Sequence, residues 1–289
     1  MKIESYNFYN KEAKTKININ EFMRKLFEKT ETVIKYFQKL NQNRLDEYLL
    51  AFQKRLENEI RAYQYNINLF NLDMIKKDFK LLNKYSELEE VIIYFISKFL
   101  ELPKDLEKTE EEMEVIYFNQ RKAESYLSYY RVKAIEDILG KEEGTKLYKQ
   151  IVEYLIKEMK EQDTREKPED SMKITRIESR NFVLEHYSKL GVANFTLGIY
   201  DDYKELYRFD KCVIHEVLKD LNDPDIAYLS SCYLRDSPTN NEGYTIHMRR
   251  TQTLHHSDFC DELYWNNYVH PDAEQPTLDF TKNLGKTEK

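Results

Sequence analysis

From about residue 19 to residue 161, apolar side chains return every three or four positions, the spacing that places them on one face of a helix. Leu45, Leu49, Phe52, Leu56, Ile60 and Tyr63 make one such stripe, and Leu147, Ile151, Tyr154, Leu155 and Met159 another. Ser86 with Glu89, and Thr109 with Glu112, have capping-box spacing. They predict helices over 88–102 and from about 112 to Gly140, a residue suited to a helix C-terminus. A charged run at 161–170 containing Pro168 reads as a linker.

Beyond Ser171 the period changes. Residues 176–190 still read as a helix that stops at Gly191, 203–211 as an extended segment, and 213–221 and 225–234 as short helices. Residues 243–254 and 259–265 alternate as two strands, with His255-His256-Ser257-Asp258 turning between them. The predicted fold is therefore α+β: a long N-terminal helical region (1–165), then a smaller mixed domain (171–280) with an antiparallel hairpin or sheet. The helical half reads as a packing scaffold or a surface for homo-oligomer formation.

A four-residue turn pairs Leu254 with Phe259, Gln252 with Asp261, Arg250 with Leu263 and Met248 with Trp265. The apolar positions of the two strands then share a face. This register sets Arg250, Gln252 and Asp261 together in an apolar surface, where polar groups are paired or serve a ligand. A structural Arg250–Asp261 pair and a pocket lining both satisfy that rule. His247, Arg249, Thr251, Thr253 and Cys260 fall on the other, more hydrophilic face.

Composition narrows the function classes. The chain has 23 Tyr but only 6 Gly and 6 Pro, which suits long helices better than turn-rich sheets. A net charge of −7 and a pI near 5.6 argue against a nucleic-acid footprint. No apolar run approaches a membrane span, and the N-terminus has no signal-like core, so a cytoplasmic protein without a membrane partner is expected.

Every cysteine, every histidine and the single tryptophan lie beyond residue 185. Three widely spaced cysteines make no disulfide framework, and without a close ligand pair no metal or other cofactor is expected. Cys212 precedes the helix at 213–221, where unpaired N–H groups favour a thiolate; a small buried hydrophobe is the competing reading. Cys232 sits on a helical stripe with Tyr228 and Leu229. Cys260 is beside Asp261 on the second strand. No phosphate loop, nucleophile elbow or His-Glu-x-x-His motif occurs.

The order of these residues resembles the L-2-amino-thiazoline-4-carboxylic acid hydrolase family. An aromatic extended stretch ends in Cys212. Asp223-Pro224-Asp225, Cys232 and Asp236 follow, and then Arg250-Thr251-Gln252-Thr253-Leu254 with Phe259-Cys260-Asp261. The likeness covers about residues 200–265 and departs from the family in Ser257-Asp258, in Glu262 after Cys260-Asp261, and in the Cys232–Asp236 spacing. It implies hydrolysis of a carbon–nitrogen or carbon–sulfur bond in a small cyclic amidine or thiazoline. Cys212 or Cys260 would be the nucleophile and Asp236 or Asp261 the acid–base group. Arg250 would anchor a carboxylate, with Thr251, Gln252, Thr253 and Cys232 lining the substrate. A non-catalytic ligand-binding or assembly protein of the same fold is the alternative.

Overall fold

The structure is a computed structural model that describes residues 1–61, 70–76, 79–103, 112–162 and 171–286. It is α+β. The chain divides into two compact units: a helical one of Lys14–Leu155 with Leu229–Ser231, and a sheet-bearing one of Met1–Ala13, Ile156–Tyr228 and Cys232–Lys289. The linker expected at 161–170 lies almost wholly outside the described residues. The first thirteen residues group with the sheet because they carry a strand, β1 (Lys2–Asn7).

The helical unit opens with strand β2 (Lys14–Asn18) and helix α1 (Ile19–Asn41), whose first turn is capped by the Asn18 side chain accepting from Glu21 N. Helices α2 (Leu45–Ile60), α3 (Leu72–Lys76) and α4 (Ser86–Leu100) follow. The predicted stripe on α2 is its buried face: Leu45, Leu49, Phe52, Leu56 and Ile60 all lie in the core. Tyr63 lies outside the described residues.

Two sequence expectations fail here. Glu112–Ile116 is strand β3, paired antiparallel with β2, and α5 (Tyr117–Leu139) begins only after it. The reason is a period of two: Met113 and Val115 turn inward between more exposed neighbours. Thr109, the proposed cap, lies outside the described residues. At α4 no side chain caps the first turn, because Glu89 is buried and ion-paired to Lys76 at 2.5 Å rather than reaching back to the cap. Helix α6 (Lys141–Gln162) follows α5, which ends at Gly140 as expected, with φ 81°.

The sheet unit continues with α7 (Ile177–Leu190), β4 (Ala193–Ile199), β5 (Lys204–Cys212) and α8 (Val213–Leu218). Then come α9 (Pro224–Ser231), α10 (Tyr233–Asp236), β6 (Ile246–Arg249), β7 (Cys260–Asn266) and α11 (Leu278–Asn283). The single helix expected over 225–234 is thus two, broken at Cys232. The sheet order is β1-β4-β5-β7-β6, every pair antiparallel.

One sheet face buries Leu206, Leu263 and Trp265 under Ala273 and Leu284 of the C-terminal segment. The other carries Phe195, Tyr207, Phe209 and Tyr264, with Tyr187 of α7 edge-on to Phe195. Buried Glu205 of β5 fixes α7 to this face through Arg176 (2.7 Å) and Arg180 (2.8 Å). The α7–β4 corner needs Gly191: its φ is 63°, and a Cβ would lie 2.6 Å from the Asn10 carbonyl oxygen.

The hairpin register differs from the expected one by a single residue over β6. His247 faces Trp265, Met248 faces Tyr264 and Arg249 faces Leu263. Closer to the turn the expected opposition holds, since Asp261 N donates to Gln252 O. Between these points Arg250 and Thr251 stand against Glu262 alone, the arrangement of a β-bulge. The extra residue turns Arg250 onto the face of Glu262 and away from Asp261, so the Arg250–Asp261 pair is not formed.

Candidate functional site

Alternation along β7 sends Cys260, Glu262 and Tyr264 to the α7 side of the sheet and Asp261, Leu263 and Trp265 to the other. The nine residues singled out from the sequence therefore fall into two groups. Asp261 is fully buried on the second face. Its carboxylate accepts from Thr251 N (2.8 Å), Thr251 Oγ1 (2.5 Å), Gln252 N (3.0 Å) and Gln275 Nε2 (2.8 Å). Four donors leave little capacity for proton transfer, and the carboxylate instead holds the bulge in place. Gln252 Oε1 accepts from Ser257 Oγ at 2.8 Å, and Thr253 is buried with a hydroxyl that has no partner among the described residues.

The other group surrounds Arg250. Its side chain is 4% exposed, and its guanidinium contacts Asp236 (3.1 Å) and Glu262. Arg235 lies 3.8 Å from Glu262, and Tyr264 Oη donates to Glu262 at 2.6 Å. Burial would raise the Glu262 carboxyl, but the two arginines and the tyrosine hydroxyl hold it below the usual glutamate value. Asp236 goes the other way: its burial outweighs Arg250 and the hydroxyl of Tyr228, so its carboxyl is raised. Tyr228 hydrogen-bonds Asp236 and is itself pushed up, chiefly by burial.

None of the three cysteines forms a disulfide. Cys260 is buried, and burial first, then the neighbouring Glu262 charge, pushes its thiol well up. Its field also includes Cys232 and Cys212, while Arg250 feels the charges of Cys260 and Cys232. Cys260 and Cys232 thus share the field of one guanidinium, and Cys212 reaches the group only through Cys260. Cys212 ends β5 and precedes α8, half-buried, as its position in the sequence suggests. Cys232 is half-buried at the break between α9 and α10, so it belongs to a corner rather than to a helical stripe. Tyr228 lies on α9 and Asp236 at the end of α10, and the break at Cys232 between the two helices lets them reach each other.

Glu262, Tyr228, Arg235 and Tyr264 complete the cluster and were not among the sequence candidates. Strand alternation pairs Glu262 and Tyr264 with Cys260, which is the signal that could have found them. The histidines lie beside it: His215 and His255 have ring centroids 5.3 Å apart, and burial pushes His255 down to about 3. Among the described residues no group of three or more His, Cys, Asp or Glu side chains could hold a metal ion. No described helix is long and apolar enough to cross a membrane.

Fold and site together define a class: an α+β protein in which buried and half-buried thiols and carboxylates are grouped around an arginine on one sheet face. No family model, no curated protein and no solved structure matches the chain.

Proposed function

We propose that the sheet-bearing unit is a hydrolase-like enzyme that opens a small cyclic amidine or thiazoline, with Cys232 as nucleophile and Asp236 as proton donor. The observation that supports it is the gathering of Cys232, Asp236 and Tyr228 at the charge of Arg250. Cys232 is half-buried within the field of the Arg250 guanidinium, whereas Cys260 is buried and held as a thiol by that burial. The raised carboxyl of Asp236 keeps a proton to a higher pH than an ordinary aspartate, as a general acid requires.

In this reading the Cys232 sulfur bonds to the electrophilic ring carbon and the ring carbon–nitrogen or carbon–sulfur bond breaks. The departing atom takes the proton of Asp236. Water then displaces the cysteine, giving its proton back to the Asp236 carboxylate. Arg250, already engaged by two carboxylates, tunes charge rather than anchoring a substrate carboxylate.

That same engagement favours a second reading, a ligand-binding protein that has kept the cluster and lost turnover. Cysteine-resolved alkylation at neutral pH separates the two. The enzyme reading expects Cys232 to react at least tenfold faster than Cys212 and Cys260. It also expects protection by 2-aminothiazoline-4-carboxylate and loss of ring opening in Cys232→Ser. Protection without turnover supports the binding reading. Three equally inert thiols with no protection would remove both.

A further inference from the structure

The five-stranded sheet has two edges, β6 and β1, and its side chains close only the first. At β6 the Asn241 side chain takes both outward backbone groups of Met248. Its Oδ1 accepts from Met248 N at 2.9 Å and its Nδ2 donates to Met248 O at 2.8 Å. An incoming strand finds that position filled. At β1 no side chain among the described residues does the same. Phe8 N donates to Ala193 O and Asn10 N to Gly191 O. Every second residue of an antiparallel strand bonds the same neighbour. Lys2, Glu4 and Tyr6 therefore bond β4, while Ile3, Ser5 and Asn7 turn their N–H and C=O groups outward.

An open edge is a template for another strand, and the side chains of β1 fit a second copy of β1 itself. Only outward-facing residues can exchange hydrogen bonds, which restricts where a two-fold axis can fall. An axis at Glu4 sets two carboxylates opposite each other, which is destabilising. An axis at Ser5 lays Ile3 against Asn7 and Lys2 against Phe8. An axis at Ile3 lays Ile3 against Ile3, and Lys2 against Glu4 on both sides of the axis. Ile3 is 47% exposed and gains an apolar neighbour in this register alone. Lys2 already pairs with Glu4 along its own strand, so the second copy completes a cluster of alternating charge.

We propose that two copies of the chain pair through β1, antiparallel about a two-fold axis at Ile3, joining their sheets edge to edge. Because each β6 edge is closed by Asn241, the assembly stops at two copies instead of growing into a fibre.

Sedimentation equilibrium of the full chain over a range of concentrations should give a reversible monomer–dimer equilibrium with no larger species. Ile3→Pro removes the central outward N–H and spares the ladder to β4. It should leave a monomer that still unfolds cooperatively. Lys2→Glu and Glu4→Lys each set like charges opposite at both cross-strand positions and should each weaken the dimer about tenfold or more. The Lys2→Glu/Glu4→Lys double variant restores the alternation and should dimerise like the parent chain, which keeps the test decisive if Ile3→Pro does not fold. Under mild oxidation Ile3→Cys should yield a dimer linked by a disulfide at the substituted position, since directly opposed residues lie within disulfide reach. The proposal is overturned by a chain that is monomeric at every concentration, or by one that grows beyond a dimer. It is equally overturned by a dimer that neither folded Ile3→Pro nor the single charge reversals weaken, or by a cross-link that forms in Ser5→Cys and not in Ile3→Cys.

Discussion

At the scale of single residues, burial decides more than residue type. His255 has the ordinary chemistry of a surface histidine, but its burial, reinforced by the neighbouring charges of His215 and His256, pushes it down to about 3 from 6.5. The unfolded chain therefore takes up a proton near pH 6.5 that the folded chain refuses. Stability is complete above that pH and falls as pH drops toward 3, by up to about 1.4 kcal/mol per pH unit. His255→Gln should flatten that slope between pH 6.5 and the onset of carboxylate titration, as read by urea unfolding at several pH values. The sequence places His255 in a turn, and a turn by itself suggests exposure. Nothing local marks it as half-buried. Asp261 shows the same limit: beside Cys260 in sequence it resembles an acid–base partner. In three dimensions the strand sends it to the other face, where four donors saturate it.

At the scale of elements, the longer helices were legible because amphipathic periods are local, whereas β1 to β4 were not. The α2 stripe, the stop of α7 at Gly191 and the extended course of β5 follow from spacing and backbone chemistry alone. The bulge between β6 and β7 was not legible, since it depends on an Asp261 carboxylate binding two backbone amides of the opposite strand. A uniform ladder aligns the apolar residues equally well on paper. The joint between α7 and the sheet was also invisible, because Glu205 meets Arg176 and Arg180 from across a long stretch of chain. That joint is a buried carboxylate with two cations. Glu205→Gln leaves both arginines without their counter-charge and should cost about 3–5 kcal/mol of stability, measurable by chemical denaturation. Proteolysis should then cut first within or next to α7.

At the scale of the whole molecule, the return of the first strand to the sheet could not be anticipated from the sequence. Residues 2–7 are too short and too polar to announce where they pair, and their partner β4 is known only from the ladder itself. A fragment starting at Ser171 retains four of the five strands and exposes the edge of β4 that β1 normally covers. An open edge recruits another strand. Such a fragment is expected to self-associate in light scattering or sedimentation. Fusing residues 1–13 through a flexible linker is expected to restore a monodisperse species.

The same strand has a consequence in time. Ser5 meets Thr196 across a separation of 191 residues. At roughly 5–20 residues per second of synthesis, β1 leaves the ribosome about 10–40 seconds before its neighbour exists. The Lys14–Leu155 part of the helical unit is synthesised before then. β1 must therefore stay unpaired until β4 is made, and its alternating charged residues, Lys2 and Glu4, suit a segment that has to remain soluble while it waits.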